Sequence, residues 1–389
     1  MITRNRTLSV VAALAATIAV TAAPAYGAFD AADPNPLRQA PLLRVGAIAA
    51  NGDIAAIGYR EGASPGKIKV AWSKDAGATY LKGNGKLRKF SVAGLGRFGV
   101  SLDICDETIW VATAAKFPGD RGQDSDVLVS RRLAKGGAGQ AFITSPSRNR
   151  LVRSAEVACI GKDFIAVAWL EKIGGESRAR LIIQDQDSLA PASFKKSYNL
   201  GAAVLDGGIS VAATSDSVYV AWTRGKARNV KYQRFQVGGG AEPEIIRDPV
   251  VNVAKADALW PQLAVHAERV ALAYTDAGKV KVRVSTDGGA SFGPSDKIIA
   301  VGKKGKPSRP WSIDIKGQRV VVEAGRNVSG TTTPVRVQTV DLGGSWQTST
   351  FGHKGARYGA LQRVGDSSSL KEAWHNNGSQ DTLRAQHEV

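Results

Sequence analysis

Five arginines stand at matching points of a repeat that runs the length of this 389-residue chain. Arg44, Arg97, Arg153, Arg309 and Arg357 each fall 15 to 17 residues before the end of a short apolar run, and Asp206 and Ala258 occupy the corresponding places in two further units. A planar guanidinium pairs bidentately with carboxylate, sulfate or phosphate, which suits it to anion capture better than the point charge of lysine. Several such cations around one opening repel one another unless an anion or an internal partner neutralises them. Two uses are therefore open: an anion-binding mouth, or arginines that cap neighbouring carbonyls and pair with loop carboxylates.

The elements that would position these side chains are read from the repeat itself. One unit recurs seven times, a polar turn followed by a β-branched, alternating run that ends in a small or aromatic residue. Its ends fall at Tyr59, Thr113, Trp169, Trp222, Tyr274, Ala324 and Trp374, with steps of 54, 56, 53, 52, 50 and 50 residues. A period near 50 with several short strands per unit fits a four-stranded propeller blade and not a helical solenoid, whose periods are shorter. The reading is an all-β, seven-bladed β-propeller with four-stranded antiparallel blades, six blades being the alternative count. The chain stops after the third strand of its last unit. The segment 36–43 has no place in the first blade and is expected to supply the missing outer strand, which removes an open edge.

A second motif, Ser/Thr-x-Asp-x-Gly-x-x-aromatic, follows the third strand of three units. It reads Ser73-Lys-Asp75-Ala-Gly77-Ala-Thr-Tyr80, Ser285-Thr-Asp287-Gly-Gly289-Ala-Ser-Phe292 and Thr339-Val-Asp341-Leu-Gly343-Gly-Ser-Trp346. The aspartate can accept bonds from its own turn, the glycine supplies a positive φ, and the aromatic folds back over the hairpin. On these residues the chain resembles the Asp-box (BNR-repeat), sialidase-like β-propeller family. The resemblance implies that Asp75, Asp287 and Asp341 are structural turn-formers on the face opposite an active site.

It also implies where chemistry would sit. Sialidases bind the sugar carboxylate with three arginines, the first in a Phe/Tyr-Arg-Ile-Pro motif; Leu43-Arg44-Val45-Gly46 is similar in placement but lacks the aromatic and the proline. Tyr358, beside Arg357, resembles the family's nucleophilic tyrosine. A retaining glycosidase needs a general base beside that tyrosine and an acid facing the leaving group. Glu156, three residues after Arg153, is the candidate base. The loop where the family's acid belongs offers only Glu61, and Asp120 and Asp124 in the next unit are substitutes. The set is incomplete, and that favours binding over turnover.

The N-terminus bears on the compartment. Arg4 and Arg6 precede an uncharged stretch, 8–20, and then the small-residue run 22–28, the pattern of a secretory signal peptide over 1–27. Its apolar part is too short to span a bilayer. Residues 28–389 are read as one propeller domain, secreted to the extracellular space. In an oxidising compartment the only two cysteines, Cys105 and Cys159, can pair across adjacent units, provided their Cα atoms come within about 7 Å.

A net charge of +18 attracts polyanions. Outside the cell these are acidic glycans or anionic cell-surface polymers, with nucleic acid not expected. His266, His353, His375 and His387 lack paired spacing for a ligand set, so no metal and no cofactor is expected. The expected protein is a monomer that binds an acidic glycan through an arginine-lined mouth. The alternatives are an exo-sialidase or related glycoside hydrolase of acidic sugars, and a structural or protein-interaction scaffold.

Overall fold

Runs of Val, Ile and Ala, each too short for a stable helix and each cut by Gly, Asp or Asn, dispose this chain to short strands and tight turns. The computed structural model describes residues 36–387 apart from 41–43, 63–65, 76–79, 81–88, 118–123, 135–139, 144–149, 190–196, 239–243, 256, 294–296, 302–307, 329–330, 343, 351–355, 364–369 and 377–380. The expected signal segment 1–27 and Asp120 lie outside the described residues. Among the described residues there are strands and turns but no helix.

Among the described residues the first strand is β1 (Pro36–Ala40), and one antiparallel sheet of seven strands follows it. These are β2 (Arg44–Asn51), β3 (Ile54–Glu61), β4 (Gly66–Ser73), β5 (Lys89–Cys105), β6 (Thr108–Lys116), β7 (Asp126–Leu133) and β8 (Gln140–Ile143). The next sheet holds β9 (Arg150–Ile160), β10 (Phe164–Ile173), β11 (Glu176–Asp185) and β12 (Tyr198–Ala202). It is followed by β13 (Ile209–Ala213), β14 (Ser217–Arg224), β15 (Asn229–Val237), β16 (Ile245–Arg247) and β17 (Val251–Ala254), the last two both pairing with β15.

Two regular four-stranded sheets come next. One is β18 (Ala258–His266), β19 (Arg269–Asp276), β20 (Lys279–Ser285) and β21 (Lys297–Val301); the other is β22 (Arg309–Lys316), β23 (Arg319–Val328), β24 (Thr331–Thr339) and β25 (Gln347–Thr350). The last sheet contains β26 (Ala356–Arg363), β27 (Leu370–Asn376) and β28 (Asp381–His387), and β1 adds to it antiparallel, with Ala40 opposite Asp381. The first strand of the chain thus completes the final sheet.

The architecture is a β-propeller. Counted as hydrogen-bonded sheets it has six blades, the alternative count. The seven sequence repeats fit into six sheets because β5 serves two units. Its first part pairs with β4, Gly66 facing Gly96, and its second part pairs with β6, Ser101 facing Ala112. The strands nearest the axis, β2, β5, β9, β13, β18, β22 and β26, contact one another in that order, and β26 returns to β2.

The second strand of each unit is covered on both faces by neighbouring sheets, so its sequence is continuously apolar and not alternating. Val218, Tyr219, Val220, Ala221 and Trp222 are all buried, as are Val270 to Tyr274. Small residues let the sheets approach. A Cβ added at Gly58 would come within 2.8 Å of Val100 Cγ1 in the adjoining unit.

The far ends of the third strands carry the hydroxyl–aspartate turns. Asp287 accepts bonds from Ser285 Oγ (2.6 Å), Ser291 N (3.0 Å) and Ser291 Oγ (2.5 Å), while Ser285 Oγ also accepts Gly289 N at 2.9 Å. The Ser285 hydroxyl, then Ser291, holds the Asp287 carboxyl down to about 2. Gly289 has φ +83°, and a Cβ there would collide with the Tyr232 hydroxyl. Phe292 closes the turn edge-on against Tyr232, with ring centroids 5.0 Å apart. Asp341 is held likewise by Thr339 and by Ser345 N at 2.9 Å, and Asp75 accepts from the Ser73 hydroxyl.

At the same end, Cys105 of β5 and Cys159 of β9 are joined by a disulfide with Cα atoms 5.4 Å apart, tying two sheets together. The bridge spans 54 residues, for which chain entropy gives about 4 kcal/mol. The Cys105→Ser, Cys159→Ser double variant is expected to lose about that much in guanidinium unfolding. An unchanged midpoint would show that the bridge does not contribute to stability.

Candidate functional site

The channel is walled by the innermost strands, and its polar lining includes Ser101, Asp103, Glu156, Ser210, Ser312 and Asp314 around a cavity of about 230 Å³. An innermost strand has no backbone partner on its channel side, so its N–H groups there need another acceptor. Side chains of the preceding unit supply it. Ser101 Oγ accepts Val157 N at 3.1 Å, Asp103 Oδ2 accepts Cys159 N at 2.7 Å, Glu156 Oε2 accepts Val211 N at 3.1 Å, and Ser210 Oγ accepts Leu263 N at 3.0 Å.

Glu156 therefore lies down the channel, bridging β9 to β13. Burial raises its carboxyl to about 7, against the lowering effect of the bonds from Val211 and Ser210. Asp103 is shifted upward as well, again by burial and against the bonds from Cys159 and Ile104. Burial thus shifts two carboxyls in one channel toward their neutral form. Asp103 did not stand out in the sequence, where nothing marks it as a channel residue.

All five arginine positions occur where the innermost strands enter the fold, at one end of the channel. Arg44 opens β2, Arg309 opens β22, Arg357 is second in β26, Arg153 is fourth in β9, and Arg97 falls where β5 changes partners. The side chains of Arg44, Arg97, Arg357 and Tyr358 lie outside the described residues.

At this end the strand registers share a feature. Six of the seven innermost strands carry a register shift there, leaving residues without a cross-strand partner. They are Gly46, the segment 97–99, Arg153, the pair Trp260 and Pro261, Trp311, and Tyr358. Bulges of this kind re-aim side chains and concentrate at rims and binding sites. They leave no trace in the amino-acid pattern, because an extra residue in a strand keeps the hydrophobic alternation almost intact.

Two arginines are described in full, and they belong to one arc. Arg153 Nε lies 3.4 Å from Asp206 Oδ1, so a carboxylate in one unit meets the arginine of the preceding unit. Arg309 is exposed, with its guanidinium 4.1 Å from the ring centroid of Trp260. Trp260 Nε1 donates to the Asp206 carbonyl at 2.8 Å. Trp260 has φ +54°, a conformation that costs a bulky residue about 1–2 kcal/mol. Its backbone N–H donates to Gly207 O at 2.6 Å, and Gly208, at φ +84°, leaves room where a Cβ would come within 3.0 Å of Trp260 Cα.

Beneath this rim other charges are mutually paired. Buried Glu171 accepts Trp169 Nε1 (2.9 Å) and Arg180 Nε (3.0 Å), with Arg150 Nε at 3.7 Å, and Arg150 also approaches Asp126 at 3.6 Å. Asp124 is half-buried beside Ser125, whose hydroxyl donates to Val152 O at 2.9 Å. Glu61 ends β3 opposite Lys67. Among the described residues, no group of three or more His, Cys, Asp or Glu side chains is placed to hold a metal.

No protein-family model matches this chain, and no curated protein matches it in sequence. Solved structures do resemble it. An α-L-arabinofuranosidase from Fusarium graminearum, in complex with an iminosugar inhibitor, aligns at 12% identity and a TM-score of 0.51 over 91% of this chain and 97% of its own. An acylaminoacyl peptidase from Pyrococcus horikoshii aligns at 8% identity and 0.50; 90% of this chain is covered, but it spans only about half (52%) of the peptidase. A Hadza microbial sialidase aligns at 12% identity and 0.46, over 85% of this chain and 73% of its own. At such identities the first two show a shared fold and leave activity open.

The channel geometry makes a prediction about pH. Glu156 is raised in the fold from 4.5 to about 7. The neutral carboxyl is the favoured folded form, so its stabilising effect is complete below about pH 4.5 and is lost as pH rises through 7. Glu156→Gln keeps an acceptor for Val211 N but cannot ionise. Its melting temperature is expected to exceed that of the wild type at pH 8, the gap closing by pH 4.5. The difference is on the order of 3 kcal/mol at most. Parallel pH profiles for the two proteins would contradict this account of the channel.

Proposed function

We propose that this chain is a secreted, sialidase-like Asp-box propeller that binds an acidic glycan or other anionic surface polymer at its arginine-bearing mouth, by binding rather than turnover. The observation that carries the reading is the arrival of five arginine positions at one end of the channel, on the entering segments of five innermost strands. Arg309, exposed and held over an indole, is a guanidinium positioned before a ligand arrives, and pre-set donors lose less entropy on binding. The net charge of +18 adds long-range attraction for polyanions.

On this reading the protein acts outside the cell as a monomer, without a cofactor. Among the described residues the candidate base Glu156 is not placed at the mouth. Glu156 bridges two strands down the channel, and Glu61 ends β3. A second reading, a glycoside hydrolase of acidic sugars, is favoured by one observation: Tyr358 falls in the bulge of β26 beside Arg357, among the positions that ring the mouth.

Replacing Arg309 and Arg357 together by Ala is expected to weaken binding of an acidic oligosaccharide by about 2–4 kcal/mol in calorimetry, with little change in melting temperature. Lysines at both positions are expected to restore only part of it, because the bidentate fork is lost. A double variant that binds as the wild type does would sink the anion-binding reading. Fluorogenic sialosides separate binder from hydrolase: no turnover is expected from the wild type, whereas turnover abolished by Tyr358→Phe would establish the second reading.

A further inference from the structure

The bulged positions at the mouth are not only cationic. Trp260 and Trp311 occupy the register shifts of the adjacent strands β18 and β22, and Arg309 sits between them in sequence and over the first in space. Trp260 is fixed from several sides: its ring nitrogen donates to Asp206 O, its backbone N–H donates to Gly207 O, and Gly208 packs beneath it. Trp311 is half-buried and lines the cavity just inside the channel.

A fold that needed only to hold a small anion would not require indoles at these points. A left-handed backbone at Trp260 is held against its intrinsic cost, and partly exposed indoles leave apolar area beside charge. A ligand that offers both an oxyanion and a flat apolar surface meets both features. A sugar ring carrying a carboxylate or sulfate does so, since one face of the ring is lined by C–H groups that pack on an aromatic plane. A flexible polyanion without rings does not.

We infer that Trp311 is a saccharide-stacking residue, and Trp260 the platform that holds Arg309 beside it, so that the mouth is selective for sugar-borne anions over anions of equal charge on a flexible chain. This rests on the anion-binding reading above and adds the identity of the ligand's scaffold. Arg309, held over Trp260, takes the anionic group, and Trp311 takes the adjoining ring face.

The test compares two probes of matched carboxylate number, tetragalacturonate and a polyacrylate oligomer, by calorimetry on the secreted protein. The wild type is expected to bind tetragalacturonate at least about tenfold more tightly than polyacrylate. Trp311→Ala is expected to lose about tenfold for tetragalacturonate and less than about twofold for polyacrylate, an amount in the range of one aromatic contact. Arg309→Ala is expected to weaken both probes. Trp311→Leu keeps apolar volume without the flat face and is expected to behave as Trp311→Ala does, which guards against loss of folding in the smaller variant. Trp311→Phe is expected to retain most of the preference.

If the tryptophan variants reduce neither probe, or both equally, while Arg309→Ala reduces both, the stacking inference is overturned and anion binding stands. If the wild type binds neither probe, the anion-binding reading fails and the inference falls with it.

Discussion

The fold depends on how the channel-facing edge of each innermost strand is satisfied. A propeller leaves a row of backbone N–H groups along its axis, and each one left without an acceptor costs about 1–3 kcal/mol. This chain answers with side chains that reach across the gap between units: Ser101 to Val157, Asp103 to Cys159, Glu156 to Val211, and Ser210 to Leu263. The bridges fix the rotation of each unit against the next, and so place the bulged segments at the rim. They also explain why carboxyl groups are buried in the channel. Asp103 and Glu156 serve as backbone acceptors, and burial shifts both toward their neutral form.

Charge at the rim follows a related rule. Asp206 stands where five other units carry arginine, and in the structure it meets Arg153 of the preceding unit and, through its carbonyl, Trp260 of the next. One departure from the repeat therefore neutralises part of the arc and anchors an indole there. Further along the arc, the guanidinium of Arg309 lies over Trp260.

Much of the fold could be read from the chain. The period near 50 residues, the turn motifs and the outer strand supplied by residues 36–40 all depend on local chemistry that repeats, and repetition makes weak signals visible. The sharing of β5 between two units could not be read, because the two parts of a continuous strand look the same as two strands joined by a short turn. Site residues were legible by type and by their place in the unit, and much less by depth. Arg153 and Glu156 are only three residues apart in β9, yet one reaches a rim carboxylate and the other a backbone N–H of the next innermost strand. Trp260 and Trp311 carry no mark in the sequence, because a tryptophan in a β-rich chain reads as core unless the register is known.

Closure through β1 has a consequence for how the molecule is made. Ala40 and Asp381 face each other across the last sheet but are 341 residues apart in the chain. At a synthesis rate of roughly 5–20 residues per second, β1 emerges on the order of 20–70 s before the strand that pairs with it. Throughout that interval the nascent ring is an arc in which β1 has no strand partner and β2 lacks its neighbour β26, both open to contact with other chains. β28 is therefore the strand that closes the ring, and a ribosome stalled just before it would leave an almost complete but aggregation-prone propeller.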